Sequence, residues 1–102
     1  MRKTVQAGQF VVVPLFNRWN AGVMVHPDFG ATALVEFTFS SKDDVEADAA
    51  KAAAGSTEAD SCMWDTWSAG PVTAVHSDVF DAQVSAVRLS SQGAASVFEV
   101  RG

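Results

Sequence analysis

The sequence predicts an all-β protein: an antiparallel, jelly-roll-like β-sandwich of about seven or eight short strands, in a single domain over residues 1–102. The first observation is composition, because valine, phenylalanine and tryptophan are frequent while isoleucine and tyrosine are absent. Such side chains suit a pleated, half-buried surface. The second is the alternation of apolar and polar residues within short runs. The third is the turn-forming residues that separate these runs, at intervals of about 8–12 residues.

The segment ATALVEFTFS, residues 31–40, has the clearest strand pattern in the chain. Its apolar and polar side chains alternate with a period of two residues, which does not fit a helix. One face of this strand would carry Ala33, Val35, Phe37 and Phe39, and the other Leu34, Glu36, Thr38 and Ser40.

The run QFVVVPLF, residues 9–16, is apolar on both faces. It predicts a strand that is buried on both sides, or one whose outer face another subunit covers. Pro14 cannot donate to a ladder of hydrogen bonds, so it indicates an edge position or a bulge. Further short strands are predicted at residues 23–26, 61–67, 72–76, 82–90 and 96–101.

Residues 42–54 are ambiguous, and for them the sequence predicts a short helix or a loop that crosses one end of the sheets. Ser41 and Asp44 have the spacing of an N-cap pattern, the alanines favour a helix, and Gly55 would end it. However, Val45 is the one side chain expected to anchor such a helix to a core, and short isolated helices are marginal in water.

The formal net charge is −5, and most acidic residues lie between positions 43 and 65. A chain with so few basic residues cannot neutralise many phosphates, which argues against binding to nucleic acid or to an anionic membrane. Cys62 is the single cysteine, so an intrachain disulfide is excluded and folding in a reducing cytoplasm is expected.

The N-terminal stretch MRKTVQAGQFVVV places two basic residues before an apolar run, as a signal peptide does. Glutamines and a glycine interrupt that run, and no cleavage site of small residues follows it. No segment approaches the roughly 20 apolar residues that a membrane helix needs. We therefore expect a soluble protein.

Side chains suited to catalysis are few. His26 and His76 each end a predicted strand, without metal ligands at a recognisable spacing. Cys62, beside Met63 and Trp64, has the surroundings of a small buried hydrophobic residue. The nucleophile motif Gly-x-Ser-x-Gly is absent. These observations predict a protein that is not an enzyme, with no catalytic, cofactor-binding or metal-binding residues.

Two kinds of ligand site stay open as alternatives. The acidic run lacks the glycine and glutamate of an EF-hand loop, but a looser calcium site could be built from Asp43, Asp44, Asp48 and Asp60. Tryptophan presents a broad apolar ring, so a sugar-stacking platform could be formed by Trp19, Trp64 and Trp67. A place in the core or at a subunit interface is the other explanation for these tryptophans.

Arg88 alternates with Val87 and Leu89, so it lies on the opposite face of its predicted strand from these two apolar residues. An arginine in that position needs a carboxylate or backbone partner, either within the fold or across an interface. We therefore expect Arg88 to have a structural role.

Three short motifs follow one another between residues 64 and 100: W-x-x-W-x-x-G-P-V-T-A, D-V-F-D-A-Q-V-S-A-V-R-L and A-S-V-F-E-V. In this order they resemble the C-terminal half of small virion proteins of tailed bacteriophages. The resemblance implies a structural β-sandwich, made in the host cytoplasm and placed on the capsid surface as a decoration (cement) protein. Its implied partners are the major capsid protein and further copies of itself in a homotrimer.

An assembly role agrees with an apolar content that so small a core does not readily hide, because neighbouring subunits would cover the excess. The expected interface residues are Phe10, Val12, Phe16, Trp19, Trp64, Trp67 and Arg88. The alternative functions are a carbohydrate-binding module of a phage tail or fibre, and another structural subunit of the head or tail. A hydrolase would need a pocket with convergent polar groups.

Overall fold

The computed structural model describes residues 1–16, 20–56, 58 and 60–101. In these ranges the chain forms eight strands and one helix. They are β1 (Arg2–Val5), β2 (Phe10–Pro14), β3 (Gly22–Pro27), β4 (Thr32–Thr38), α1 (Lys42–Ala53), β5 (Asp65–Thr66), β6 (His76–Val79), β7 (Ala86–Gln92) and β8 (Ser96–Arg101).

The strands form two four-stranded antiparallel sheets. The first sheet has the order β1-β8-β3-β6 and the second the order β2-β7-β4-β5. The first strand pairs with the last, β2 with β7, β3 with β6 and β4 with β5, so the chain is one long hairpin wound into two layers. This is the eight-stranded jelly roll, and the predicted all-β sandwich is confirmed.

The main core lies between the two sheets and is made of side chains that alternate along each strand. Ala33 and Val35 of β4 are fully buried in this core, on the face that the sequence predicted to be buried. Phe37 is partly buried and packs against the same core. Phe39 differs from the prediction, because its side chain is 62% exposed. β4 ends at Thr38, whose hydroxyl accepts a hydrogen bond from the Ser40 N–H, so the backbone leaves the sheet before position 39.

Residues 42–53 form a helix. The sequence predicted either a helix or a loop here. The Ser41 hydroxyl accepts a hydrogen bond from the Asp44 N–H at the N-terminus. At the C-terminus Gly55 has a φ of +79°, and the N–H groups of Gly55 and Ser56 donate to the carbonyl oxygens of Ala52 and Lys51. These two bonds form a Schellman motif, which is why the helix stops there.

The helix packs on the outer face of the second sheet, so the molecule has three layers. Val45 of α1 is fully buried and belongs to a second apolar cluster with Val12 of β2 and Ala86 of β7. The strand predicted within residues 9–16 is thus buried on both sides. Its outer face is covered by α1 of the same chain and not by another subunit. Pro14 lies on β2, an edge strand of the second sheet, as predicted.

The strand predictions differ from the structure in four places, one of which is the predicted strand 82–90, found as β7 at Ala86–Gln92. The polar β1 was not anticipated, and the predicted strand 61–67 is reduced to the two residues of β5. The run 72–76 is mainly a crossover between the layers. Val72 makes a single bridge to Ala33 in the second sheet, and His76 then begins β6 in the first. Within the described residues no helix could cross a membrane, since α1 has 12 residues and is polar.

Candidate functional site

The most developed polar arrangement lies between α1 and the strap, a name used here for residues 60–64. Asp48 projects from the buried side of α1 and its side chain is completely inaccessible to solvent. One oxygen, Oδ1, accepts the backbone N–H of Ser61 at 3.0 Å. The other, Oδ2, accepts the backbone N–H of Cys62 at 3.0 Å and the indole Nε1–H of Trp64 at 2.9 Å. Asp48 therefore ties the strap to the helix.

The charge of Asp48 is stabilised by these donors. Burial opposes ionisation of the carboxyl group, but the hydrogen bonds from Cys62, Trp64 and Ser61 outweigh it and lower the pKa of Asp48 below its usual value. Lys51 lies 3.8 Å from Asp48 and 2.8 Å from the exposed Asp60. Its hydrogen bond also lowers the pKa of Asp60. Asp48 is thus an ionised, fully satisfied carboxylate with a structural task.

Cys62 is the one thiol of the chain and is buried beside Asp48. Burial, together with the hydrogen bond to the Asp48 carboxylate, raises the pKa of Cys62 to about 11. The thiolate is the reactive form of cysteine, so this side chain is a poor nucleophile and a poor metal ligand near neutral pH. Its predicted character as a small buried hydrophobic residue is confirmed.

Arg88 has the carboxylate partner that the sequence required, and the partner lies within the fold. Its Nε and Nη2 donate to the two oxygens of Glu36 at 2.9 and 2.7 Å, in the geometry of a bidentate pair. The two residues face each other directly in the register of β4 and β7. The guanidinium also lies 4.8 Å from the centre of the Trp64 ring and 5.8 Å from that of Phe10. Its structural role is confirmed.

The expected interface residues fall into four groups, one of which is Arg88, whose side chain is 19% exposed and paired with Glu36. Val12 and Trp67 are buried inside the chain, and Trp67 is 2% exposed with its indole N–H bonded to the Gly70 carbonyl oxygen. Phe10, Phe16 and Trp64 are partly buried under the helix and strap. Trp19 lies outside the described residues. A partner that docks on the folded chain would therefore reach little of this set apart from the outer parts of the half-buried rings.

The two open ligand sites gain no support from the geometry. In the described ranges, no three side chains of His, Cys, Asp or Glu are grouped closely enough to hold a metal ion. Asp48 uses its oxygens on N–H donors, and Asp60 pairs with Lys51. Of the two tryptophans described, Trp67 is in the core and Trp64 has the Arg88 guanidinium over its ring.

Both histidines lie on strands of the first sheet, His26 on β3 and His76 on β6. His76 is half-buried, with its ring 5.2 Å from that of Trp67 in an edge-to-face contact. His26 is exposed on the outer face of the first sheet, beside Arg2 and Glu99.

The exposed apolar side chains are ones that the sequence analysis did not select. Phe29 is fully exposed on the turn between β3 and β4, and Phe39 and Met63 are 62% and 87% exposed beyond the end of β4. Phe39 and Met63 flank a groove whose other lining residues are Phe37, Thr38, Ser40, Trp64 and Asp65. Isolated phenylalanines at a turn and at a strand end carry no sequence signal of exposure, because hydrophobicity alone predicts burial.

Every buried polar side-chain atom in the described part of the chain has a hydrogen-bond partner. The arrangement between helix and sheet therefore stabilises the fold. Comparison of the chain with protein-family models, curated proteins and solved structures gave no match.

Proposed function

We propose that the protein is a non-enzymatic structural subunit of a tailed-phage virion, a capsid decoration protein that binds the head shell as an oligomer. The observation that carries the proposal is the use of the polar residues. Asp48 holds the strap against the helix, and the Arg88–Glu36 pair joins two strands of the second sheet. The described surface also presents large exposed apolar side chains, among them Phe29, Phe39 and Met63.

The jelly roll supports the proposal as a fold that suits a structural subunit. Its function in any one protein depends on surface features, so the fold by itself does not select a role. The resemblance of residues 64–100 to small virion proteins supplies the more specific expectation of a capsid surface, with the major capsid protein as partner and a homotrimer as the oligomer.

The exposed residues are compatible with attachment to a repeating shell. Phe29, Phe39 and Met63 are large apolar side chains at the two ends of β4, where solvent contact is unfavourable. A small subunit with a limited contact area binds weakly as a single copy, but several copies linked in one oligomer bind a lattice with much higher avidity.

The proposal is tested on particles of the phage whose genome encodes the chain. Density-gradient fractions would be analysed by mass spectrometry, with the major capsid and tail proteins as markers. We expect the chain to migrate with the capsid, and purified chain to rebind to heads made without its gene. Those heads should lose their DNA at a lower temperature than wild-type heads. Recovery of the chain only in the free protein fraction would contradict the proposal, and migration with isolated tails would move it to another part of the virion.

A further inference from the structure

The strap is attached to the rest of the fold by side chains. The backbone N–H groups of Ser61 and Cys62 donate to the Asp48 carboxylate, and that of Met63 donates to the Ser40 hydroxyl. In the described ranges, no hydrogen bond between backbone groups joins the strap to a strand or to α1. By contrast, β4 and β7 pair along the seven residues of β4. The attachment of the strap therefore depends on a few side-chain acceptors and not on a backbone ladder.

Asp48 is the main acceptor of the strap. Its three N–H donors, from Ser61, Cys62 and Trp64, all belong to the strap. If the strap moves away from α1, water can replace all three donors, and the carboxylate keeps its charge in a solvated state. Opening the strap therefore avoids the large cost of leaving a buried carboxylate without partners.

Few side chains of the strap contribute to the core. Cys62 is 6% exposed, and Trp64 is partly buried in the same apolar cluster with the Arg88 guanidinium over its ring. Asp60 and Met63 are exposed. A segment with few buried apolar contacts and no backbone ladder opens at a lower free energy than the whole fold.

We propose that the strap is a lid that opens as a unit while the two sheets stay folded, and that Asp48 is the residue that holds it closed. In the open form, solvent reaches the Cys62 thiol and the apolar cluster that Cys62 and Trp64 help to cover. The open form is a minor population of the chain. This inference goes beyond the proposed function, because it concerns a motion of the free chain and needs no virion.

The test uses Cys62 as the reporter of opening, since it is the one cysteine of the chain and is buried when the lid is closed. Iodoacetamide is added to the purified chain at about pH 8, where an exposed thiol reacts, and alkylation is followed by mass spectrometry. With fast reclosing, the labelling rate is proportional to the open population. Because opening of the lid exposes little surface, the rate should be nearly independent of urea below the onset of global unfolding.

The matched control moves the thiol into the main core. The double variant Cys62→Ala, Val35→Cys places it on β4, at a fully buried position between the ladders to β5 and β7. This thiol should react only through global unfolding. Without urea it should be labelled at least about tenfold more slowly than Cys62, and its rate should rise steeply with urea. Urea unfolding curves of both chains would correct for any difference in global stability.

Variants at the acceptors test what holds the lid closed. Asp48→Asn keeps the shape of the side chain but removes its charge and one acceptor oxygen, so it should raise the Cys62 labelling rate at least about tenfold. Asp43→Asn removes the same charge from the exposed first turn of α1 and should be labelled like the wild type. Ser40→Ala removes the acceptor of the Met63 N–H and should give a smaller increase, which provides a test if Asp48→Asn does not fold.

Three results would overturn the inference. Labelling of Cys62 as slow and as dependent on urea as that of the control thiol would mean that the strap opens only with the whole fold. An unchanged labelling rate in Asp48→Asn would show that this carboxylate does not hold the lid. Labelling of the wild type at the rate of the unfolded chain would mean that the strap is open most of the time. Each result leaves the particle experiment unaffected, so failure of the lid and failure of the virion role are distinguishable.

Discussion

The outer faces of the two sheets make a controlled comparison within one molecule. The second sheet is covered by α1 and the strap, and its Arg88–Glu36 pair is 19% and 16% exposed. The first sheet has no such cover, and its Arg2–Glu99 pair is 72% and 45% exposed. Both pairs join directly opposed residues on neighbouring antiparallel strands. An Arg–Glu pair therefore holds two strands together in a buried layer where a helix covers the sheet, and lies exposed on the surface where nothing covers it.

The largest effect is expected from removing the carboxylate that holds the cover in place. Asp48→Ala would leave three N–H donors without an acceptor, one of them buried and two partly buried, and should lower the free energy of unfolding by about 3–5 kcal/mol. Urea unfolding measures this change. Asp43→Ala in the exposed first turn of α1 is the control, with an expected loss below about 1 kcal/mol. Equal losses in both variants would contradict the assigned role of Asp48.

The same site gives an acid dependence with a definite sign. The pKa of Asp48 is lower in the folded chain than its ordinary value, so its contribution to stability is complete above the unfolded pKa and is lost as the pH falls through the folded one. Unfolding curves below about pH 4 should show this loss in the wild type, since that is the ordinary range of an aspartate. Asp48→Asn should be less stable at pH 7 and have a shallower acid dependence. An unchanged acid slope would show that other carboxylates dominate it.

The next largest effect is the difference in coupling energy between the two Arg–Glu pairs. A double-mutant cycle with Arg88→Met and Glu36→Gln should give a coupling energy of about 2 kcal/mol, because the pair is bidentate and largely buried. The matched cycle with Arg2→Met and Glu99→Gln should give about 0.5 kcal/mol or less, and this should vanish in high salt. Similar coupling in the two cycles would mean that the helix and strap do not shield the second sheet.

The effect of Cys62 is the smallest at neutral pH, where it is absent. Because the thiol pKa is raised to about 11, its contribution to stability is complete below the unfolded pKa near 9 and is lost as the pH rises towards 11. The loss should reach about 2–3 kcal/mol. Cys62→Ala should unfold with a flatter profile than the wild type between pH 9 and 11. Parallel profiles would indicate that the thiol is open to solvent.

The sequence was sufficient for features that depend on neighbouring residues. Alternation over residues 31–40 predicted the inward face of β4 except for Phe39, and Ser41 and Gly55 marked the ends of a helix that the structure contains. Arg88 was correctly assigned a partner because an arginine among apolar residues requires one. These inferences succeed because strand period and helix capping are local properties.

Features that depend on distant segments were not predictable in the same way. Asp48 stands in an acidic run that resembles a solvated helix face, and its partners are 13 to 16 residues away. The sequence does not show the bonds between Asp48 and residues 61–64. Val45 was therefore the one residue expected to hold α1 against the core. The sequence of residues 9–16 does not indicate that α1 covers them. For that reason the side chains of Phe10, Val12 and Phe16 were expected at an interface with another subunit. The exposed Phe29 and Phe39 were missed for the opposite reason, since their exposure is set by where the strands end.

The strand order also constrains how the chain acquires its fold during synthesis. β8 lies between β1 and β3 in the first sheet, and β7 lies between β2 and β4 in the second. Neither sheet can close while residues 86–101 are still inside the ribosome, although most of the apolar residues have already emerged. The growing chain must therefore keep several unpaired strand edges from aggregating, a task suited to chaperones, and then fold rapidly once the two central strands are released.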